Sequence, residues 1–197
     1  GFTVVTSVKL YAIHLGFAFF LTFLVYPLYS GARKDKKRFP AYDLALAILG
    51  ALTCVYVIVF YDDFIFRIDN DPTTWDLIVG AIAVILVIEI ARRTSGLAMP
   101  IVAAVFLAYA FLGPYMPQVL KHRGYDLERV VSHLFSEQGI FNIPIGISAR
   151  YVFLFILFGS FLEFGGAGKF LIDLATALFG GTRGGPAKAE VVSSAFF

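Results

Sequence analysis

The sequence predicts an all-α, polytopic helical membrane protein with about five spans plus interfacial and broken helices. Of the 197 residues, 59% are hydrophobic and 15% charged, against roughly 45–50% and about 25% in soluble domains. Mean hydropathy is +0.81. The apolar residues gather into runs close to the roughly 20 residues that cross a hydrocarbon core of about 30 Å. Among open architectures, only helices satisfy their backbone polar groups inside lipid.

The first run, Leu10 to Tyr29, has no charged residue and one histidine, His14. The second, Leu44 to Tyr61, is uncharged. The third, Leu77 to Ala91, is short, but Trp75 can anchor one end in the interface while Arg92 and Arg93 snorkel at the other. The fourth, Leu97 to Leu112, carries Pro100 in its first turn, where a missing N–H costs little. The fifth, from about Ser148 to Phe164, is apolar on all sides.

Lys and Arg in the short loops set the expected orientation. Arg33-Lys34-Asp35-Lys36-Lys37-Arg38 separates the first two runs and Arg92-Arg93 the third and fourth, whereas the loop between the second and third holds Asp62, Asp63, Asp69 and Asp71 against Arg67. The positive-inside rule places the two basic loops in the cytoplasm, with residue 1 and the segment 113–147 on the outer side. The chain starts at Gly1 without Met or a signal-peptide pattern and stops at Phe197 inside a helical pattern. It therefore reads as a fragment whose outside N-terminus implies at least one earlier span.

The segment from Gly113 to Ile147 mixes Lys121, His122, Arg123, Asp126, Glu128 and Arg129 with apolar residues at three- and four-residue spacing. That spacing predicts a short amphipathic helix from Leu127 to about Ser136, capped by Asp126 and lying on the outer interface or packed over neighbouring helices. Beyond the fifth run, Gly165-Gly166-Ala167-Gly168 breaks the helix. Phe170 to Phe179, with Asp173, is long enough for about half the bilayer. Gly180-Gly181-Thr182-Arg183-Gly184-Gly185-Pro186 makes a second break before a helix starting at Ala187, rich in small residues. Short, Gly-interrupted apolar segments point to substrate sites in secondary transporters.

Other classes are excluded. The basic residues form short clusters between apolar runs, so there is no footprint for nucleic acid, and 22 Phe and 10 Tyr exclude a disordered chain. Cys54 has no partner for a disulfide or a thiolate metal site. No phosphate loop, His-Glu-x-x-His helix, Cys-x-x-Cys pair or nucleophile elbow occurs. An enzyme reading lacks a site, and no metal or cofactor is expected.

Ile143-Pro144-Ile145-Gly146-Ile147-Ser148, Tyr151-Val152-Phe153-Leu154-Phe155, Gly159-Ser160-Phe161-Leu162-Glu163, Gly166-Ala167-Gly168 and the run from Arg183-Gly184-Gly185-Pro186 to Ser193-Ser194-Ala195 together resemble the large membrane subunit of tripartite ATP-independent periplasmic (TRAP) transporters. Tyr26-Pro27, Pro114-Tyr115 and the stretch from His122-Arg123-Gly124-Tyr125 to Arg129 resemble the fused small-plus-large permease that works with TAXI-type binding proteins. The resemblance divides the chain into small-subunit-like helices over 1–112, a periplasmic segment over 113–147, and the start of the large-subunit domain over 148–197. It implies a bacterial inner-membrane permease driven by a Na⁺ or H⁺ gradient, using an elevator movement, with organic acids delivered by a TAXI-type periplasmic solute-binding protein. The binding tip of the family's first helical hairpin falls just after the equivalent of Ser193-Ser194-Ala195.

Ser193, Ser194, Gly184, Gly185 and Pro186 are the candidates for a substrate or ion path, although small-residue packing also explains the two serines. His14, Glu89, Glu163 and Asp173 are the intramembrane ionisable residues. Glu89 sits a turn from Arg92 and Arg93 and Asp173 four residues after Lys169, so local ion pairs explain both. His14 suits packing or the interface, with a proton relay as the alternative. Glu163 suits an interface or a polar helix contact, and Arg150 has the stem to snorkel. A noncatalytic membrane scaffold is the competing function.

Overall fold

The computed structural model describes residues 6–28, 41–179, 181 and 184–194, and among these there is no strand. The helices are α1 (Ser7–Val25), α2 (Ala41–Val59), α3 (Tyr61–Arg67), α4 (Thr74–Ser95), α5 (Ala98–Leu112), α6 (Leu127–Leu134), α7 (Ile143–Ile147), α8 (Phe153–Phe164), α9 (Ala167–Phe179) and α10 (Gly185–Ser194). Among the described residues, five stretches are long and apolar enough to cross a membrane: Ser7–Val25, Ala41–Val59, Thr74–Ser95, Ala98–Tyr115 and Ile143–Phe164. The all-α polytopic membrane architecture is the one the composition dictates.

The span ends differ from the expected ones for local reasons. The first helix stops at Val25, not at Tyr29, because Tyr26 precedes Pro27, whose ring disfavours a helical residue before it; the last bond runs from the Tyr26 N–H to the Thr22 carbonyl. The second ends at Val59, and a separate short helix, α3, follows. The third begins three residues earlier than its apolar run. There a reciprocal capping box joins Thr73 and Asp76, and Gly96 at φ 79° ends the helix. The fifth begins at Ile143 and passes through a π-helical turn at Ser148–Val152.

Contacts divide the chain into two compact units, Gly1–Ile147 and Ser148–Phe197. In the first, α1, α2 and α4 form a three-helix bundle around Val8, Ala12, Phe19, Phe23, Ala47, Cys54, Val57, Ala83 and Leu86. The bundle core is built by aromatic rings meeting small residues. A Cβ on Gly50 of α2 would lie 2.8 Å from the Cβ of Phe19, so the absence of a side chain is what lets α1 approach α2. α5 buries none of its residues, and Phe106 is 68% exposed, as suits a lipid-facing helix.

The amphipathic α6 begins at Leu127 after Asp126, although the Asp126 side chain makes no capping bond. Its apolar face is packed over neighbouring helices: Val131 and Phe135 cover Gly80 of α4. The Phe135 ring stands edge-on to Phe64 of α3 at 5.5 Å and tilted to Phe141 at 5.6 Å. Thus the polar-looking segment 113–147 belongs to the first unit and closes one end of the bundle.

In the second unit, α8 ends at Gly165 and Gly166, where the Gly166 N–H reaches the Glu163 carbonyl and φ is +75°. Only glycine enters that left-handed region without strain, so the chain breaks here and restarts as α9. With 13 residues, α9 is about 20 Å long, short of a full crossing, and α10 is described over Gly185–Ser194. The two helices pack against each other.

Substituting Gly50→Leu tests the bundle. Overpacking against Phe19 is expected to cost about 1–3 kcal/mol, read as a lower midpoint in detergent-titrated unfolding; an unchanged midpoint would show that α1 and α2 are not in close register.

Candidate functional site

Charge inside the first unit is concentrated at its two ends. At one end, where α2 leaves and α4 enters, the Asp76 carboxylate is fully buried and takes hydrogen bonds from five donors. Arg67 holds it bidentately, Nε to Oδ2 at 2.6 Å and Nη2 to Oδ1 at 2.9 Å. Tyr56 donates its hydroxyl to Oδ1 at 2.7 Å, and Thr73 donates its N–H and its hydroxyl to Oδ2 at 2.9 and 2.6 Å. The Asp76 hydrogen bond raises the Arg67 pKa further above its ordinary value, so the guanidinium stays charged throughout the accessible pH range. At the same end the Lys9 ammonium of α1 lies 4.5 Å over the Tyr61 ring.

The opposite end gathers the start of α2, the end of α1 and the last turns of α4 around Arg93. Its guanidinium donates to Asp43 Oδ1 at 2.6 Å, to Glu89 Oε1 at 2.7 Å and to the Tyr26 carbonyl at 3.0 Å, and it stacks 4.8 Å over Phe23. Arg93 and Asp43 side chains are 3% and 1% exposed. Snorkelling, expected of both arginines, describes Arg92 alone, which is 38% exposed and pairs with Glu89 at 2.7 Å. Arg93 turns inward because two carboxylates and a carbonyl neutralise it there. Glu89 is thus accounted for by the expected local pairs.

The remaining candidates are dispersed. His14 lies half-buried two turns into α1. Glu163 is exposed in the last turn of α8, and Arg150 is exposed in the π-helical turn. Asp173 and Lys169 are both exposed on α9, and among the described residues no ion pair joins them, so the expected local pair is not formed. Gly184, at φ +74°, directly precedes α10, which opens with Gly185 and Pro186 and ends at Ser193 and Ser194. The Ser194 hydroxyl donates back to the Val191 carbonyl at 2.9 Å. Gly180, Thr182, Arg183, Ala195 and the basic loop Arg33 to Arg38 lie outside the described residues, as do the side chains of Pro186 and Ser193. Among the described residues no cluster of His, Cys, Asp or Glu could hold a metal ion.

Sequence reasoning paired Glu89 with Arg92 and Arg93, but missed Asp43 at that end and the Asp76 cluster at the other. Thr73-x-x-Asp76 is a capping-box spacing and could have marked the start of α4, but nothing in the pattern points Arg67 or Tyr56 at the same carboxylate. The Asp43–Arg93 pair spans 50 residues.

The family model for the tripartite ATP-independent periplasmic transporter, DctM component, matches residues 82–197, from the middle of α4 through α10. The chain belongs to this family. Among curated proteins and solved structures, none matches it. It is a membrane component of a TRAP transporter, a class that works with a periplasmic binding protein and its substrate.

Substituting Asp76→Asn removes the charge that Arg67 needs while keeping the volume. The expected loss is about 2–3 kcal/mol, the scale of a hydrogen bond to a charged group, measured by thermal unfolding in detergent. A change within about 0.5 kcal/mol would show the cluster to be energetically idle.

Proposed function

We propose that the chain is the permease part of an ion-gradient-driven, binding-protein-dependent secondary transporter for organic acids. The observation that carries this reading is the short helix α9, with left-handed glycines at 166 before it and at 184 before α10, in a TRAP membrane component. Helices that stop inside a bilayer leave backbone groups free to line a solute path. Gly184, Gly185, Pro186, Ser193 and Ser194 stand on α10 or at its entrance, which favours them as the start of that path.

The Arg92–Arg93 end of the bundle faces the cytoplasm in this reading, and the Arg67–Asp76 end, with α6 over it, faces the periplasm. Residue 1 is then periplasmic, and the segment 113–147 lies where a TAXI-type solute-binding protein docks. The three-helix bundle serves as the fixed scaffold of an elevator movement, because its charges are locked in pairs, and Na⁺ or H⁺ supplies the drive.

Uptake of organic acid by proteoliposomes holding the full-length permease should require both an imposed ion gradient and the cognate binding protein. Uptake supported by ATP alone would overturn the proposal. Substituting Gly184→Val, which forces a β-branched residue into the left-handed region, is expected to lower that uptake at least about tenfold with the amount of protein in the membrane unchanged.

A further inference from the structure

The first unit carries two adjoining clefts of opposite character. One is an apolar groove of about 700 Å³ between α4, α5 and α6, with Val84 and Ile88 on one wall, Ala103 and Phe106 on another, and Val130 and Leu134 on the third. The other is a polar cleft of about 390 Å³ at the end of α5, lined by Arg123, Asp126 and Arg129 beside Phe111 and Pro114. Tyr125 and Arg129 line both, so the two lie side by side.

The depth of the groove matches one lipid leaflet. Val84 and Ile88 come eight and twelve residues after Asp76 along α4, which puts them about 12–18 Å from that end of the bundle. Half of a hydrocarbon core is about 15 Å. The cationic side is fixed in place by the end of α5. The Gly124 N–H donates to His122 Nδ1 at 3.1 Å, so His122 Nε2 carries the proton and donates to the Tyr109 carbonyl at 3.0 Å. His122 and Tyr125 N–H groups cap the Gly113 and Ala110 carbonyls at 3.2 and 3.1 Å. Arg123 is held between these anchors. Among the described residues, neither Arg123 nor Arg129 enters an ion pair, and with Asp126 beside them the cleft keeps one net positive charge.

We infer that the two clefts form one binding site for an anionic phospholipid, an acyl chain lying in the α4–α5–α6 groove and the phosphate held by Arg123 and Arg129. Arginine forks match phosphate oxygens bidentately, and the apolar groove beside them offers an acyl chain walls of aliphatic and aromatic side chains. Asp126 is placed to accept from headgroup hydroxyls. A bound chain fills the gap where α5 and α6 both contact α4, so the lipid ties the end of the bundle together. The site stands apart from the transport reading and does not depend on it.

Native mass spectrometry of the full-length permease in detergent, titrated separately with phosphatidylglycerol and phosphatidylcholine, tests the site. Retention of one phosphatidylglycerol per chain, roughly tenfold stronger than phosphatidylcholine, is expected. The double substitution Arg123→Gln and Arg129→Gln should remove that preference, and Ala103→Phe, which narrows the groove, should weaken both lipids, with unfolding midpoints in lipid-free detergent unchanged. Equal retention of the two lipids by the unsubstituted protein would overturn the inference, as would phosphatidylglycerol retention indifferent to both sets of substitutions. So would full protection of Ala103→Cys from a membrane-permeant maleimide after delipidation, which would mean that protein fills the groove.

Discussion

Two buried carboxylates, Asp43 and Asp76, fix the first unit, because each must find a cation within the fold and each finds it on a different helix or turn. Taking one ion out of water costs several kcal/mol even after relaxation, and a single unpaired buried charge is more costly than any apolar contact in this bundle is favourable. Pairing Asp43 of α2 with Arg93 of α4 therefore ties the two helices at one end. Pairing Asp76 of α4 with Arg67, and with Tyr56 of α2, ties them at the other. From Asp76 to Arg93 is about 26 Å along α4, close to the thickness of the hydrocarbon core. Charge sits where it is least costly in a bilayer, at its two faces, and the stretch between is left to Phe19, Ala47, Ala83 and Leu86.

Between these clamps helix association in lipid relies on close packing, since lipid tails are as apolar as the side chains they would replace. Gly50 against Phe19 and Gly80 under Val131 and Phe135 supply that packing. The second unit is built on the opposite principle. Gly166 and Gly184 interrupt its helices, α8 buries none of its residues, and the described charges on α9 remain exposed and unpaired with each other.

The helical spans were legible because their signal is local. Apolar runs of membrane length and the Gly165–Gly166 break each report on their own neighbourhood, whereas the stop before Pro27 was read past, to Tyr29. The amphipathic α6 was legible for the same reason, through the spacing of Val130, Val131, Leu134 and Phe135. Asp43 was not, since it stands one residue outside its apolar run and its partner lies 50 residues away. Arg93 misled, because beside Arg92 at a helix end it has the pattern of a snorkelling residue, and only the third dimension turns it inward. The short α3 escaped because aspartates at 62 and 63 look like loop until Phe64 is seen against Phe135.

Exchanging the charges of the Asp43–Arg93 pair addresses the clamp directly. Asp43→Arg and Arg93→Asp, made singly in the full-length protein, should each lower the unfolding temperature in detergent sharply, by leaving like charges together in a buried site. The double exchange should recover a substantial part of the loss. Recovery would place the stability in the pairing itself; a double exchange no better than the sum of the two singles would contradict it, and would mean that the bundle is held by packing alone.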